Sequence, residues 1–281
     1  MSIALEHRMD LPSRVRRAVG DAVVVAWRNV VKIWRIPTVL VFELVQPVMF
    51  VILFVYVFGG NITNLPPGIA YVDFLMPGII IQNAIFGSTT TAIGIADDLK
   101  AGMIDRFRSL PMARSAVLAG RTTADVMKNF ILVILVIAVG YLVGFDFQNG
   151  LIGAIALVIL TLAVGFAFSW ISATIALWLK DVEAVQAATF TWIFPVVFIS
   201  SALVPVQGMA PAFQWIAEHN PITYWANLAR FFALGEPGLI DPVTGQPVDT
   251  PEALLVKSAI WFVLILAVFV PLSIRQYRKL T

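Results

Sequence analysis

Residues 151–179 read LIGAIALVILTLAVGFAFSWISATIALWL, and no charged side chain interrupts the chain between Asp146 and Lys180. A helix needs about 20 consecutive apolar residues to cross a bilayer core. This run exceeds that length, which leaves room for tilt or for a projection into the cytoplasm. Working outward from it, apolar runs at about 39–58, 74–96, 128–145, 184–204 and 256–273 predict five further spans. The run at 128–145 is purely apolar only from Phe130 to Phe145, and extends backwards through Ser115–Asn129 as a helix emerging from the membrane. Pro195 falls inside the fifth span, where neighbouring helices can satisfy the carbonyl it frees.

The composition agrees. Of the 281 residues, 59% are apolar and 13% charged, and the mean hydropathy is +0.89. A soluble domain carries about a quarter charged residues to face water, so most of this surface meets lipid. The net charge of +2 does not mark a nucleic-acid partner, because the basic residues flank the apolar runs. With no cysteine, disulfides and thiolate metal sites are excluded. The first long apolar run begins only near Val39, too late for the core of a cleavable signal peptide.

Lysine and arginine set the orientation. Seven precede the first span, from Arg8 to Arg35, and six lie between spans two and three, from Lys100 to Lys128. Lys180 follows span four, and Arg275, Arg278 and Lys279 follow span six. Arg230 and Lys257 alone fall on the other side, a split of seventeen to two among the 19. The positive-inside rule then predicts both termini in the cytoplasm. Before the first span, Ser13–Ile36 predicts an amphipathic helix. Arg14, Arg17, Asp21, Arg28, Lys32 and Arg35 share one face, opposed by Val19, Val23, Trp27, Val30 and Trp34. Such a helix lies in the headgroup plane and ends at Pro37.

The link between spans two and three is the segment 97–114, DDLKAGMIDRFRSLPMAR. Read as a helix, Leu99, Met103, Phe107 and Leu110 form one stripe, with Asp98, Asp105 and Arg108 opposite. Pro111 ends it. A peg of this kind docks into a groove on a soluble partner or rests on lipid headgroups; the pattern alone leaves both open.

Four stretches, in order, carry a resemblance. They are Pro37-Thr38-Val39-Leu40 leading through Gln46-Pro47 to Phe58-Gly59-Gly60; Phe74-Leu75-Met76-Pro77-Gly78; Gly102-Met103-Ile104-Asp105-Arg106-Phe107-Arg108-Ser109-Leu110-Pro111 with Arg114 following; and Asn220-Pro221-Ile222-Thr223. On these the chain resembles the membrane subunit of type-2 ABC exporters, in particular the daunorubicin-resistance permease group. The resemblance implies an all-α integral membrane fold of the ABC-2 type. It has six transmembrane helices (residues 39–281) behind a cytoplasmic tail and interfacial helix (1–38), with both termini inside. It implies a coupling helix at about 97–111 that seats in an ATPase subunit, carried here by Asp98, Leu99, Lys100, Gly102, Met103, Asp105, Arg106, Phe107, Arg108, Leu110 and Pro111. The short link Lys180-Asp181 would be a second contact, though it also reads as a plain charged turn. No G-x-x-x-x-G-K-[ST] phosphate loop occurs, so ATP and Mg²⁺ are expected on separate ATPase subunits and no cofactor on this chain. The expected partners are those subunits, a second permease subunit, identical or homologous, and an amphipathic drug or lipid-like substrate, in a bacterial cell membrane.

The substrate path is expected along spans one, two and five, at Gln46, Phe50, Gln82, Asn83, Phe86, Phe194 and Phe198. Gln82, Asn83 and Ser88–Thr91 equally suit hydrogen bonds between helices. Glu43 lies in span one on the face of Gln46; a carboxylate there faces a partner or cavity, and Arg35 or Lys32 are in reach. Gly140 and Gly144 form a GxxxG pair that predicts close helix packing. The outer segment 205–251, broken by Pro205, Pro211 and Pro221 and rich in aromatics, predicts re-entrant short helices with an exposed loop at Asp241–Thr250; in exporters of this type it closes the outer gate. His7 and His219 belong to no metal-ligand pattern, and no metal or catalytic residue is assigned. The competing classes are an intramembrane lipid-modifying enzyme, which needs clustered carboxylates, and an ion-coupled secondary transporter, which needs buried charge.

Overall fold

The structure, a computed structural model, describes residues 37–58, 65, 68–102 and 114–280. The expected interfacial helix 13–36 and most of the expected coupling helix, 103–111, lie outside them. Helix α1 covers Pro37–Leu53 and runs on through one wider π turn, Phe54–Phe58. It is followed by α2 (Tyr71–Lys100), α3 (Arg114–Val143), α4 (Gly150–Leu179) and α5 (Val182–Phe198). Two short helices, α6 (Pro211–Glu218) and α7 (Pro221–Leu234), precede α8 (Pro251–Leu280). Among the described residues there is no strand, only an isolated bridge between Ile240 and Pro247. Helices α2, α3, α4 and α8 are each long and apolar enough to cross a membrane; α1 and α5 are shorter apolar helices.

Helix α2 is the central element and packs against α1, α3, α4, α5 and α7. Its first half is buried without interruption, from Tyr71 to Phe86, which is why this stretch shows no polar face. Pro77 and Gly78 sit within it. A Cβ on Gly78 would lie 1.8 Å from the Ala202 carbonyl oxygen, so only glycine lets the turn after α5 approach α2 this closely. Asp73, in the first turn, accepts hydrogen bonds from the backbone N–H of Ala70 (2.9 Å) and of Asp146 (3.1 Å), tying the start of α2 to the turn after α3.

The GxxxG expectation is corrected in half. Gly140 does meet α2, with the end of Met76 2.6 Å from where its Cβ would be. Gly144 instead follows the last residue of α3 with φ +100°. It is the left-handed residue that closes the helix, not a packing surface.

The prolines of the outer segment fall where expected for short helices. Pro211 and Pro221 open α6 and α7 at their first turns, where a missing N–H costs nothing. Asn220 caps α7 through Ile222 N–H (2.9 Å) and donates from Nδ2 to the carbonyls of Val196 and Ile199, both at 2.6 Å. One side chain thus closes the C-terminus of α5 and the N-terminus of α7.

Arg230, counted above as one of two outer-side cations, is only 1% exposed. Its Nε donates to Phe74 O (2.9 Å), its Nη1 to Asn227 Oδ1 (2.8 Å) and its Nη2 to Ser201 O (2.5 Å). The guanidinium lies 3.8 Å over the Phe74 ring, a cation–π contact. Burial lowers its pKa, opposed by Tyr71 and Asp241 nearby, yet a guanidinium stays protonated in proteins. It is a rivet between α2, α7 and the turn after α5.

Candidate functional site

The residues expected on a substrate path converge. Gln46, Pro47 and Phe50 of α1 face Ile79, Gln82, Asn83 and Phe86 of α2 across a narrow groove. Helical spacing explains the set, since 46 and 50 on α1, and 79, 82/83 and 86 on α2, each fall on one face. Helix α5 closes the side with phenylalanines. The rings of Phe86 and Phe194 meet edge to face at 5.2 Å, Phe194 and Phe198 stack at 5.9 Å, and Phe198 meets Phe50 at 6.2 Å. A continuous aromatic wall therefore links the three helices. Phe194 and Phe198 keep exposed faces, as does Gln46.

The floor of the groove is polar and unsatisfied. Gln82 is 2% exposed and Asn83 9%, yet both amide atoms of Gln82 and Nδ2 of Asn83 have no hydrogen-bond partner among the described residues. Leaving a buried polar group unpaired costs about 1–3 kcal/mol, and native structures retain few of them. Asn129 Oδ1, Trp170 Nε1, Trp192 Nε1 and Ser258 Oγ also lack a described partner, while other polar groups of the helix core are matched across interfaces. Ser88 Oγ meets Ser172 Oγ at 3.0 Å, Thr174 Oγ1 meets Ser273 Oγ at 2.7 Å, and Thr91 Oγ1 donates to Asp125 Oδ2 at 2.5 Å. Of the two readings of Ser88–Thr91, these contacts are of the interhelical kind.

One turn from the groove, toward the Lys100 end of α2, sits an ion pair. Lys128 Nζ of α3 lies 3.0 Å from Glu43 Oε1 of α1 and also donates to Thr90 Oγ1 of α2. Lys128 is thus a buried residue of α3 and the described partner of Glu43, where the sequence pointed to Arg35 or Lys32, which lie outside the described residues. Glu43 Oε2 has no described partner. The side chains of Lys128 and Glu43 are 6% and 19% exposed.

At the Lys100 end, the expected helix 97–111 is not continuous. Helix α2 carries Asp98, Leu99 and Lys100 as its last residues and ends in a turn at Ala101–Gly102, with Gly102 at φ +65°. The amphipathic stripe hides that break, because its period runs on across a glycine. Leu99 packs against the apolar cluster formed by Ala92, Ile95, Trp170, Leu177, Val185, Tyr277 and their neighbours, and Val182 packs against the same cluster. Leu99 thus faces the protein's own interior. Met103, Asp105, Arg106, Phe107, Arg108, Leu110 and Pro111 lie outside the described residues. Lys180 and Asp181 are exposed and join α4 to α5. Lys180 adopts a left-handed conformation at φ 62°, and Asp181 Oδ1 caps α5 through Ala184 N–H at 3.0 Å.

At the opposite end of the bundle, the turn after α5, the end of α6, α7, the loop 240–249 and the start of α8 line an open cavity of about 500 Å³. Tyr224, Asp241, Asp249 and Lys257 line it. Asp241 holds the loop by accepting from Val243 N–H (2.7 Å) and Thr244 N–H (3.0 Å). The outer face of α6 exposes Phe213, Trp215 and Ile216. Sequence reasoning missed both this cavity and the role of Lys128, because each depends on residues brought from distant parts of the chain.

Comparison with known proteins supplies the class. The chain is 27% identical over 93% of its length to a daunorubicin resistance ABC transporter permease protein, DrrB1, of Streptomyces coeruleorubidus, covering 87% of that protein. It is 27% identical to a probable doxorubicin resistance ABC transporter permease protein, DrrC, of Mycobacterium tuberculosis, over 74% of each chain. It is 23% identical to the inner membrane transport permease YadH of Escherichia coli, over 85% of this chain and 93% of that one. Residues 21–232, which take in the groove, the ion pair and the Arg230 rivet, match the ABC-2 type transporter family, and the chain belongs to that family.

Proposed function

We propose that this chain is the permease half of an ATP-driven exporter that moves an amphipathic drug or lipid-like molecule out of the cytoplasm or inner leaflet. In this reading α1, α2, α3, α4, α5 and α8 are six spans with both termini in the cytoplasm of a bacterial cell. The charge asymmetry of the sequence supports that orientation. Two permease subunits, identical or homologous, face each other, and two ATPase subunits bind ATP and Mg²⁺ beneath them. The chain itself performs no hydrolysis.

The observation that carries the reading is the convergence of Gln46, Phe50, Gln82, Asn83, Phe86, Phe194 and Phe198 on one groove with an aromatic wall. Apolar surfaces with a few polar groups are what ligand sites for amphiphiles are made of. The coupling contacts are Asp98, Lys100, residues 102–111 and Lys180-Asp181. What supports them is that Leu99 and Val182, beside these contacts, pack on one apolar cluster, so force at either point reaches the helices. ATP binding and hydrolysis favour different arrangements of the two halves, each by its differential affinity. Export past the outer segment follows the resemblance of the relatives, two of which are named for drug resistance.

Co-expression of this chain with an ATPase subunit encoded beside it, a pull on one tag and an assay of ATP hydrolysis in lipid tests the proposal. A complex of two permeases and two ATPases with hydrolysis is the expected result. A chain that purifies alone in mild detergent, with no ATPase bound, overturns it.

A further inference from the structure

We propose that the open cavity at the Lys257 end of the bundle holds the head of a zwitterionic phospholipid bearing a primary amine, drawn from the outer leaflet; this rests on the six-span reading just given. The ammonium of the lipid meets Asp241 and its phosphate meets Lys257. Asp241 is 5% exposed and lines the cavity. Its Oδ1 accepts from Val243 N–H and Thr244 N–H, while its Oδ2 makes no hydrogen bond among the described residues. A carboxylate oxygen can only accept, so an occupant must bring the donor. Arg230, which also lines the cavity, cannot, because its five N–H groups already go to Phe74, Ser201, Ala202 and Asn227. Lys257 Nζ donates to Asp249 Oδ2 and lies 5.4 Å from the centre of the Tyr224 ring. An ammonium has three N–H bonds, so Lys257, with its side chain 45% exposed, keeps donors for an anionic oxygen.

The surroundings suit a lipid. Exposed apolar side chains adjoin the cavity from three elements. They are Val248 of the loop, Leu255 and Val256 of α8 next to the lining residue Leu254, and Trp215 of α6, whose ring lies 4.9 Å from that of the lining residue His219. Tryptophan beside polar groups at the end of an apolar helix marks the headgroup level. A polar hollow with an apolar margin takes in the head of an amphiphile and leaves its tails along α8. Among the lining residues, Glu218, Asp241 and Asp249 stand against Arg230 and Lys257, one acid in excess. A head of net negative charge meets like charge there, whereas a zwitterion adds no net charge. A trimethylammonium has no N–H to give Asp241 Oδ2; a primary ammonium has three.

The test is native mass spectrometry of the full chain, delipidated in mild detergent and offered equal amounts of phosphatidylethanolamine, phosphatidylcholine and phosphatidylglycerol. The ethanolamine lipid should bind about tenfold more than either other lipid, a difference of about 1.4 kcal/mol. In D241N, whose amide oxygen can keep the two loop hydrogen bonds, that preference should vanish while the thermal midpoint in phosphatidylcholine nanodiscs stays level. Glycerophosphoethanolamine, the same head without tails, should displace little of the bound lipid. Equal binding of the three lipids, preference for another of them, or a preference that survives in D241N overturns the proposal. A lowered midpoint in D241N makes Asp241 a prop for the loop and overturns it too. Displacement by the tail-less head at equal concentration overturns the lipid and makes the ligand a soluble one. Binding of the ATPase is a separate readout, so the exporter reading stands or falls apart from this proposal.

Discussion

Lys128 Nζ sits 3.0 Å from Glu43 Oε1, across the interface between α3 and α1. These two residues are 85 positions apart in the chain, and among the described residues their pair ties α1 to α3, which with α2 is one of its principal neighbours. Breaking a buried pair from one side leaves the other charge uncompensated. K128M should therefore destabilise the protein by about 3–5 kcal/mol, read as a lowered thermal midpoint in nanodiscs. The double variant E43L/K128M, which removes both charges, should recover most of that loss. A double variant no better than K128M would show that packing, and not charge, carries the effect.

Arg230 makes a second prediction. Its fork serves carbonyl and side-chain oxygens from three segments, and lysine cannot reproduce that geometry. R230K should lose a large part of the stability that R230M loses, although it keeps the charge. R230M should cost about 3–5 kcal/mol, because a set of buried acceptors is left without donors. The check is thermal unfolding of the three proteins side by side, and a wild-type midpoint for R230K would contradict it.

G78A places a methyl group 1.8 Å from the Ala202 oxygen. Overpacking of this kind costs about 1–3 kcal/mol when the backbone can yield and more when it cannot. G140A is a gentler comparison, since only the flexible end of Met76 must move. Expression yield and thermal midpoint should fall far more for G78A than for G140A.

On the coupling side, F107D and L110D should abolish co-purification of the ATPase while leaving the fold of the permease intact. D181A, which removes the cap of α5, should cost about 1 kcal/mol and reduce coupling less than either. Retention of full ATPase binding and transport in F107D/L110D would refute the contact at 97–111.

Much of the architecture could be read beforehand because hydropathy is a property of consecutive residues. The apolar runs at 74–96, 151–179 and 256–273 became α2, α4 and α8 with ends shifted by a few residues. The short outer helices followed from the proline positions, which act locally. The groove was legible for the same reason, since its members repeat at helical spacing on α1 and α2. The partners of Glu43 and Arg230 were not, because a charge in a loop and a charge in an interior look alike until the chain is folded. The helix end at Gly102 was missed for another reason. An apolar stripe can keep its phase across one glycine, and only the positive φ there reveals the break.

The shared seating of Leu99 and Val182 has a mechanical meaning. The tail of α2 and the head of α5 are not two handles but one, since the same block of side chains grips both. In the proposed exporter, a tilt applied at the α4–α5 link would pass to the end of α2 through this cluster. Both walls of the groove, Phe86 on one and Phe194 on the other, would then swing together as a single jaw against α1.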